Sequence, residues 1–137
     1  MKLTFTEVSY LLKLLRLKEE NQSLSTGKLA EAFSVKPSSA IDVLKKLEIY
    51  GLIKRNPWRS IELTKKGNSL ALEIIHNHRT LEVYFKEVLG LKEEICCKEA
   101  SKIDYLLSRE VINSICKLLG YPNYCIHGKR LLHKWCI

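Results

Sequence analysis

The chain has 137 residues, of which 46% are hydrophobic and 28% charged, so its composition is that of a globular protein. No apolar run approaches the roughly 18 residues that a membrane-spanning helix needs, and the N-terminus does not resemble a secretory signal. Lys and Arg number 23 against 15 Asp and Glu, and the net charge of +8 favours nucleic acid or an anionic membrane surface as partner. Membrane-spanning, collagen-like and secreted disulfide-scaffold proteins are excluded.

Apolar residues at helical spacing predict an amphipathic first helix over residues 4–20. Its predicted buried face consists of Phe5, Val8, Leu11, Leu12 and Leu15. A short second helix follows, which Ser25 or Thr26 can cap. The third helix is predicted to begin at Pro37, because proline suits the first helical position, and to end before Gly51.

Two strand-like runs, 52–55 and 60–64, follow the third helix and flank a basic, aromatic tip at residues 56–59. This order of elements is that of a winged helix-turn-helix, which places its third helix in the major groove of DNA. The segment from Lys28 to Lys66 holds nine bases against four acids, which supports DNA binding. The alternative is that the basic helix is a solvated face and the hairpin only a connector.

The residues predicted to contact DNA surround the third helix. Contacts to bases and nearby phosphates are assigned to Lys36, Pro37, Ser38, Ser39 and Asp42. Neutralisation of phosphates is assigned to Lys28, Lys45, Lys46, Lys54, Arg55 and Arg59. Asp42 can accept a hydrogen bond from a cytosine amino group, whereas serine hydroxyls are less selective. Contacts to phosphate add affinity with little sequence information.

The second half is predicted to contain a long helix over residues 65–89, another over 92–107 and a third capped by Ser108, followed by a basic tail without clear periodicity. We therefore expect a mainly α fold with a small β-hairpin. A winged helix-turn-helix domain at 1–66 would precede a helical dimerisation and metal- or effector-sensing domain at 67–137. The sequence shows neither a nucleophile–base constellation nor a phosphate-binding glycine loop, so an enzyme is not expected.

Four stretches of the sequence have a particular register: residues 29–39 (LAEAFSVKPSS), 63–67 (LTKKG), 78–82 (HRTLE) and 89–91 (LGL). Together they resemble the diphtheria-toxin-repressor and manganese-transport-regulator family. The resemblance implies a homodimeric, metal-activated repressor of metal-uptake genes, whose second helical region supplies the dimer interface and divalent-metal sites. Some members carry a third, SH3-like domain, for which this sequence leaves no room. The short two-domain form is therefore the one expected here.

By this resemblance, the family's primary metal site falls on Ser9, Ser101, Asp104 and Tyr105. Family members carry Asp or Met at the first position, Glu or Cys at the second, Glu at the third and His at the fourth. Asp104 is the one convincing ligand, and one carboxylate with weak hydroxyls would bind a hard divalent ion poorly. The resemblance therefore implies that the usual primary site is dismantled.

The family's ancillary metal site would match His78, Glu82 and, in place of a histidine, Cys97. His78 and Glu82 are i, i+4 on one predicted helix, so their side chains can converge on one ion. A His/Glu/Cys set is softer than a His/Glu/His set, which shifts preference toward iron or zinc over manganese. The alternative is that His78 and Glu82 form an ordinary surface pair and that Cys97 merely packs.

The five cysteines form an odd set, and without a secretory signal they predict reduced thiols in a cytoplasmic protein. Cys96 lies on an apolar stripe of the helix predicted at 92–107. Cys116 lies on a similar stripe of the following helix. Both thiols are therefore predicted to pack in the core.

The basic tail contains the run Cys125-Ile126-His127-Gly128, which resembles an element found in many family members. With His133 and Cys136 it offers four ligands within a dozen residues, and such a set could hold tetrahedral zinc. Alternatively, Cys125 and Cys136 could join Cys97 around an iron–sulfur cluster, since such clusters need thiolates. A third reading is that these tail residues are incidental.

These observations predict a metal-responsive, DNA-binding transcriptional regulator that binds a palindromic operator as a homodimer and represses genes for uptake of iron or manganese. The expected cofactor is Fe²⁺, Mn²⁺ or Zn²⁺, with neither a membrane nor a small-molecule substrate as partner. One alternative is an iron–sulfur or thiol redox sensor on the same scaffold. Another is a winged-helix protein that binds DNA independently of any effector.

Overall fold

The computed structural model describes residues 2–57 and 60–136, so Trp58 and Arg59, at the predicted tip of the hairpin, lie outside the described residues. The chain divides into two compact units, Met1–Ala71 and Leu72–Ile137. The elements in chain order are α1 (Phe5–Glu19), α2 (Thr26–Ala32), α3 (Pro37–Ile49), β1 (Ile53–Arg55), β2 (Ile61–Leu63), α4 (Lys65–Glu87), α5 (Glu93–Ile103) and α6 (Arg109–Leu118). The mainly α fold with one small hairpin is confirmed. Within the described ranges, no helix has the length and apolar character needed to cross a bilayer.

The first three helices begin at a capping residue or a proline. The Thr4 hydroxyl accepts a hydrogen bond from the backbone N–H of Glu7, and the Glu7 carboxylate accepts one from the backbone N–H of Thr4. Ser25 caps α2 by accepting from the N–H of Lys28 at 3.2 Å. Pro37 occupies the first turn of α3. The starts of α2 and α3 therefore confirm the prediction from local sequence signals.

The core of the first unit is formed by the apolar faces of its helices and hairpin. Its fully buried members include Leu11, Leu14, Leu29, Ala40, Leu44, Leu47, Leu52 and Ile53. Beside them, the rings of Tyr10 and Phe33 stack with centroids 4.3 Å apart. The prediction that Phe5 faces this core is wrong: its side chain is 52% exposed, because it lies at the first residue of α1, while Leu14 is fully buried.

The hairpin supplies the wing of the winged helix-turn-helix. Its antiparallel register places Ile53 opposite Leu63, Lys54 opposite Glu62 and Arg55 opposite Ile61. Ile53 and Ile61 are buried, whereas Lys54 and Glu62 are exposed. This alternation directs one face of the ribbon to the core and leaves the other for solvent or a partner.

The core of the second unit contains Leu81, Ala100 and Ile112, against which Phe85, Ile103, Leu107 and Ile115 pack. Ser108 caps α6 as predicted, accepting a hydrogen bond from the N–H of Val111. The helix α5 is shorter than predicted, because Asp104 serves as its C-cap and the chain turns at residues 104–107. Cys96 and Cys116 are both buried, as predicted.

The C-terminal segment packs on the second unit although its sequence shows no periodicity. Cys125 and Leu131 form a small apolar cluster with Val83 of α4. Tyr124 and Arg130, which precede these two residues in the chain, form an isolated antiparallel bridge. Non-periodic apolar residues therefore attach this segment, which explains why helix and strand patterns did not reveal its position.

Candidate metal centre and DNA-contacting surface

The exposed face of α3 is the candidate DNA-contacting surface. Ser38, Asp42 and Lys45 are exposed and follow one another at i, i+4 and i+7, so they share a face of the helix. The other exposed residues predicted here are Lys36, Pro37, Ser39 and Lys46. Ile49, which sequence analysis missed, is 75% exposed and lies four residues after Lys45, so it extends the same face.

The remaining predicted DNA-contacting bases lie in α2 and the hairpin. Lys54 is exposed on β1. Lys28 is half-buried, and its Nζ donates a hydrogen bond to Oε1 of Gln22 at 2.7 Å. Arg59 falls outside the described residues. Lys54 therefore has the more accessible charge of the two lysines.

Arg55 is held by Glu48, seven residues earlier in α3. Its Nε and Nη2 donate to Oε1 of Glu48 at 3.1 and 3.0 Å, and its backbone N–H donates to Oε2 at 3.1 Å. The backbone hydrogen bond, followed by the guanidinium, lowers the pKa of Glu48 below its ordinary value of 4.5. Glu48 thus compensates part of the charge that Arg55 would offer to a phosphate, a contact that the sequence pattern does not reveal.

The first candidate metal cluster, on α4 and α5, consists of His78, Glu82 and Cys97. Nε2 of His78 lies 3.4 Å from Oε1 of Glu82 and 3.7 Å from Sγ of Cys97. The ligand atoms of all three residues lie within 4.8 Å of one another. The structure therefore brings together the three residues that the resemblance implies for the ancillary site.

Asp104 contacts the other ring nitrogen of His78. Its Oδ2 lies 3.0 Å from Nδ1 of His78, and Nδ2 of Asn77 donates to its backbone carbonyl at 2.9 Å. Because Nδ1–H is directed to Asp104, Nε2 faces Glu82. Asp104 thus occupies the place of a residue that orients the histidine rather than of a ligand. Sequence analysis missed Asn77, whose residue type gives no sign of this anchoring role.

The charges in this cluster are coupled. Burial favours the neutral imidazole, but hydrogen bonds to Asp104 and Glu82 outweigh burial and raise the pKa of His78 to about 10. Burial raises the pKa of Asp104, and its hydrogen bond to His78 offsets part of that rise. The arrangement therefore stabilises a positive charge between two carboxylates.

The serines that match the family's primary metal site are hydrogen-bonded within their own helices. The hydroxyl of Ser9 donates to the carbonyl of Phe5 at 2.9 Å. The hydroxyl of Ser101 donates to the carbonyl of Cys97 at 3.0 Å. Neither hydroxyl adds to the ligand set provided by the first cluster.

The second candidate metal cluster consists of Glu82, Cys125 and His127. Oε2 of Glu82 lies 3.2 Å from Nδ1 of His127, and the ligand atoms of all three residues lie within 4.8 Å of one another. Glu82 is only 2% exposed and belongs to both clusters, with one carboxylate oxygen toward each histidine. Sequence analysis did not foresee this sharing, because the two motifs are more than forty residues apart in the chain.

The four tail residues considered as ligands of one zinc ion divide between two places. Cys125 and His127 belong to the second cluster, whereas Nδ1 of His133 lies 3.1 Å from Sγ of Cys136. The four residues do not form a single site in this structure, because Cys125 and His127 lie beside Glu82, whereas His133 and Cys136 lie beside His76 and Cys116. The thiols considered for an iron–sulfur cluster also fall into three different groups: Cys97, Cys125 and Cys136.

Buried polar atoms test whether the two clusters suit a cation. Among the residues described, Oδ1 of Asp104 has no hydrogen-bond partner, and Oε2 of Glu82 is at ion-pair distance from His127 without an aligned hydrogen bond. Leaving such an oxygen unsatisfied costs about 1–3 kcal/mol. Carboxylate, imidazole and thiolate groups are also ligands of iron and zinc. The donor set therefore fits a divalent transition metal.

A winged helix-turn-helix followed by a helical unit with a His/Glu/Cys cluster defines the class of metal-dependent transcriptional regulators. Residues 2–61 match the profile described as "Iron dependent repressor, N-terminal DNA binding domain". Residues 64–132 match the profile described as "Iron dependent repressor, metal binding and dimerisation domain". The chain belongs to the iron-dependent repressor family, and the resemblance seen in the sequence is confirmed.

Individual relatives agree with this assignment. The HTH-type transcriptional regulator MJ0568 of Methanocaldococcus jannaschii is 35% identical over 99 residues, which cover 72% of this chain and 79% of that protein. The iron-dependent repressor IdeR of Mycobacterium tuberculosis is 28% identical over 117 residues, 85% of this chain but only 51% of IdeR. The solved structure of a manganese-dependent transcriptional repressor in complex with manganese has a TM-score of 0.79 and 28% identity, covering 91% of this chain and 57% of that one.

Proposed function

We propose that this protein is a cytoplasmic, metal-responsive repressor that binds a palindromic operator as a homodimer and represses genes for uptake of iron or manganese. The observation that carries the proposal is Glu82, a buried carboxylate whose two oxygens face the histidines of two Cys/His pairs. The names of an iron-dependent and a manganese-dependent relative support a divalent metal as effector.

The donor sets favour Fe²⁺ as effector, with Zn²⁺ as the main competitor. His78, Glu82 and Cys97 would hold one ion, and Cys125 and His127 would hold another with the remaining oxygen of Glu82. Thiolate ligands favour iron and zinc, whereas manganese prefers carboxylate, carbonyl and water oxygens. A bound cation would supply the positive charge that compensates the buried carboxylate.

On DNA, α3 would lie in the major groove with Ser38 and Asp42 near base edges. Lys45, on the same exposed face, would contact phosphate. Ile49 adds an apolar side chain that can pack on a thymine methyl group. We expect a weaker phosphate contact from Arg55, because Glu48 already binds its guanidinium.

Homodimerisation is proposed to use apolar side chains of the second unit. Val111 and Leu118 are i, i+7 on α6 and are 43% and 70% exposed, and Leu106 is 58% exposed. Exposed apolar side chains in such numbers are typical of interaction surfaces. A two-fold dimer would place its two α3 helices on half-sites about 34–36 Å apart, or a multiple of that distance.

The metal can raise DNA affinity only by as much as it prefers the DNA-competent state. We therefore propose an anaerobic fluorescence-anisotropy titration of a labelled palindromic duplex, obtained by in vitro selection, with Fe²⁺, Mn²⁺, Zn²⁺ or a chelator. The wild type should bind DNA about 5- to 150-fold more tightly with its effector, which is the usual range of such coupling. Glu82→Gln should lose this response.

Glu94→Gln is the matched control, because Glu94 is exposed on α5 and belongs to neither cluster. It should respond to metal as the wild type does. A wild type that binds DNA equally well with metal and with chelator would contradict the proposed function. A full metal response in Glu82→Gln would contradict the assignment of the site.

The DNA surface is tested separately by the dependence of affinity on salt. Lys45→Ala should weaken binding and reduce the slope of log K against log salt by about 0.9, because one phosphate contact is lost. Lys98→Ala removes the same charge from an exposed position on α5 and should leave the slope unchanged. An unchanged slope for Lys45→Ala would show that this residue of α3 does not contact phosphate.

A further inference from the structure

A third group of metal-ligating side chains lies in the second unit, apart from the two clusters that share Glu82. Nδ1 of His133 lies 3.1 Å from Sγ of Cys136 and 3.5 Å from Sγ of Cys116 on α6. The two sulfur atoms are 3.7 Å apart. His76 of α4 also places a ring nitrogen within 4.8 Å of the ligand atoms of His133 and Cys136.

The separations among Cys116, His133 and Cys136 are close to those of ligands around one zinc ion. Two sulfurs bound at about 2.3 Å in a tetrahedral site lie about 3.8 Å apart, and a sulfur and a nitrogen lie about 3.6 Å apart. The sulfur–sulfur distance and one nitrogen–sulfur distance agree within about 0.1 Å, and the second nitrogen–sulfur distance is about 0.5 Å short. A disulfide bond would need the sulfurs at about 2.05 Å, far closer than they are.

The imidazole of His133 is oriented as a ligand. Its Nε2 lies 2.9 Å from the carbonyl oxygen of Pro122, which can only accept a hydrogen bond. Nε2 therefore carries the proton, and the lone pair of Nδ1 is directed at the sulfurs of Cys116 and Cys136. Fixing a ligating histidine by a carbonyl on its other nitrogen is a recurrent feature of metal sites.

His76 supplies an independent observation. Its side chain is 2% exposed, and within the part of the chain that the structure describes neither ring nitrogen has a well-aligned hydrogen-bond partner, although the backbone of Leu132 lies close to the ring. A buried polar group without a partner needs an explanation, and a bound ion provides one.

We propose a structural zinc site whose ligands are His76, Cys116, His133 and Cys136. Two nitrogens and two sulfurs with no open position are typical of structural rather than catalytic zinc. Zn²⁺ would bind with release of the thiol protons and would attach the C-terminal segment to α4 and α6. That segment also carries Cys125 and His127, so the site would hold part of the second cluster in place.

The test uses Glu82→Gln protein, because that change removes the carboxylate shared by the other two clusters. After purification with Zn²⁺ and brief dialysis against a weak chelator, elemental analysis should find one zinc per chain, and X-ray absorption should show two sulfur and two nitrogen ligands. Adding Cys136→Ser should abolish this zinc. Adding Cys96→Ser, a buried thiol outside the three groups, should retain it.

Alkylation provides a second readout that does not depend on variants. Iodoacetamide should modify the half-buried Cys136 of native protein only after a strong chelator removes the zinc. Zinc that survives Cys136→Ser, a Glu82→Gln protein without zinc, or a disulfide between Cys116 and Cys136 in mass spectra would each overturn the proposal. Because Cys136 is half-buried near the end of the chain, its serine variant should fold, as circular dichroism can verify.

Discussion

Gly67→Ala should destabilise the first unit even though alanine is the better helix former. On helix propensity alone, the change within α4 would stabilise the protein by about 1 kcal/mol. A Cβ on Gly67 would, however, lie 2.8 Å from the carbonyl carbon of Leu52 and closer still to its oxygen. The same oxygen accepts a hydrogen bond from the N–H of Thr64 at 3.1 Å, so moving it would strain the start of α4.

Overpacking of this kind costs about 1–3 kcal/mol, and backbone is harder to displace than a side chain. Because backbone must move here, we take the upper end of that range, about 3 kcal/mol; subtracting the propensity gain of about 1 kcal/mol leaves an expected loss of about 2 kcal/mol in unfolding free energy, measured by urea denaturation followed by circular dichroism. Gly27→Ala in α2 is the control, because its Cβ would meet nothing within 4 Å and the change should be neutral or stabilising. A Gly67→Ala protein as stable as the wild type would show that the carbonyl of Leu52 does not resist a methyl group at this position.

Three further changes probe other contacts. Because the pKa of Glu48 is lowered, its bonds to Arg55 add stability above pH 4.5, at most about 1 kcal/mol for such an exposed pair. The difference in unfolding free energy between the wild type and Glu48→Gln, measured by urea titration, should therefore vanish as the pH falls below the lowered pKa. Asp104→Asn should weaken metal binding about 10- to 100-fold in calorimetry by releasing His78, and unchanged affinity would exclude the orienting role. Leu118→Glu, which places a charge on the exposed apolar face of α6, should reduce self-association in sedimentation velocity. An unaltered dimer fraction would show that this part of α6 is not in the interface.

The order of elements could be predicted because their boundaries depend on local chemistry. Ser25 and Ser108 cap helices with their own hydroxyls, and Pro37 begins one because its backbone lacks an N–H. The pair of His78 and Glu82 could be foreseen for the same reason, since i, i+4 spacing on one helix brings two side chains together.

Contacts between distant segments could not be predicted from such patterns. The bond from Arg55 to Glu48 depends on how the hairpin folds back on α3. The division of the tail depends on where the non-periodic C-terminal segment meets Glu82 and where it meets His76 and Cys116. Likewise, Glu82 pairs with His78 on its own helix and with His127 far along the chain. No spacing rule relates these two histidines.

In the proposed function, metal bound around Glu82 is coupled to DNA bound by α3. The most direct test is the dissociation constant of Fe²⁺, measured without oxygen by calorimetry, for the protein alone and for its complex with the selected duplex. Because coupling is reciprocal, Fe²⁺ should bind the complex more tightly by the same factor by which it raises DNA affinity, and Glu82→Gln should show no difference. Equal Fe²⁺ affinity for the free and the DNA-bound wild type would show that metal and DNA binding are not coupled.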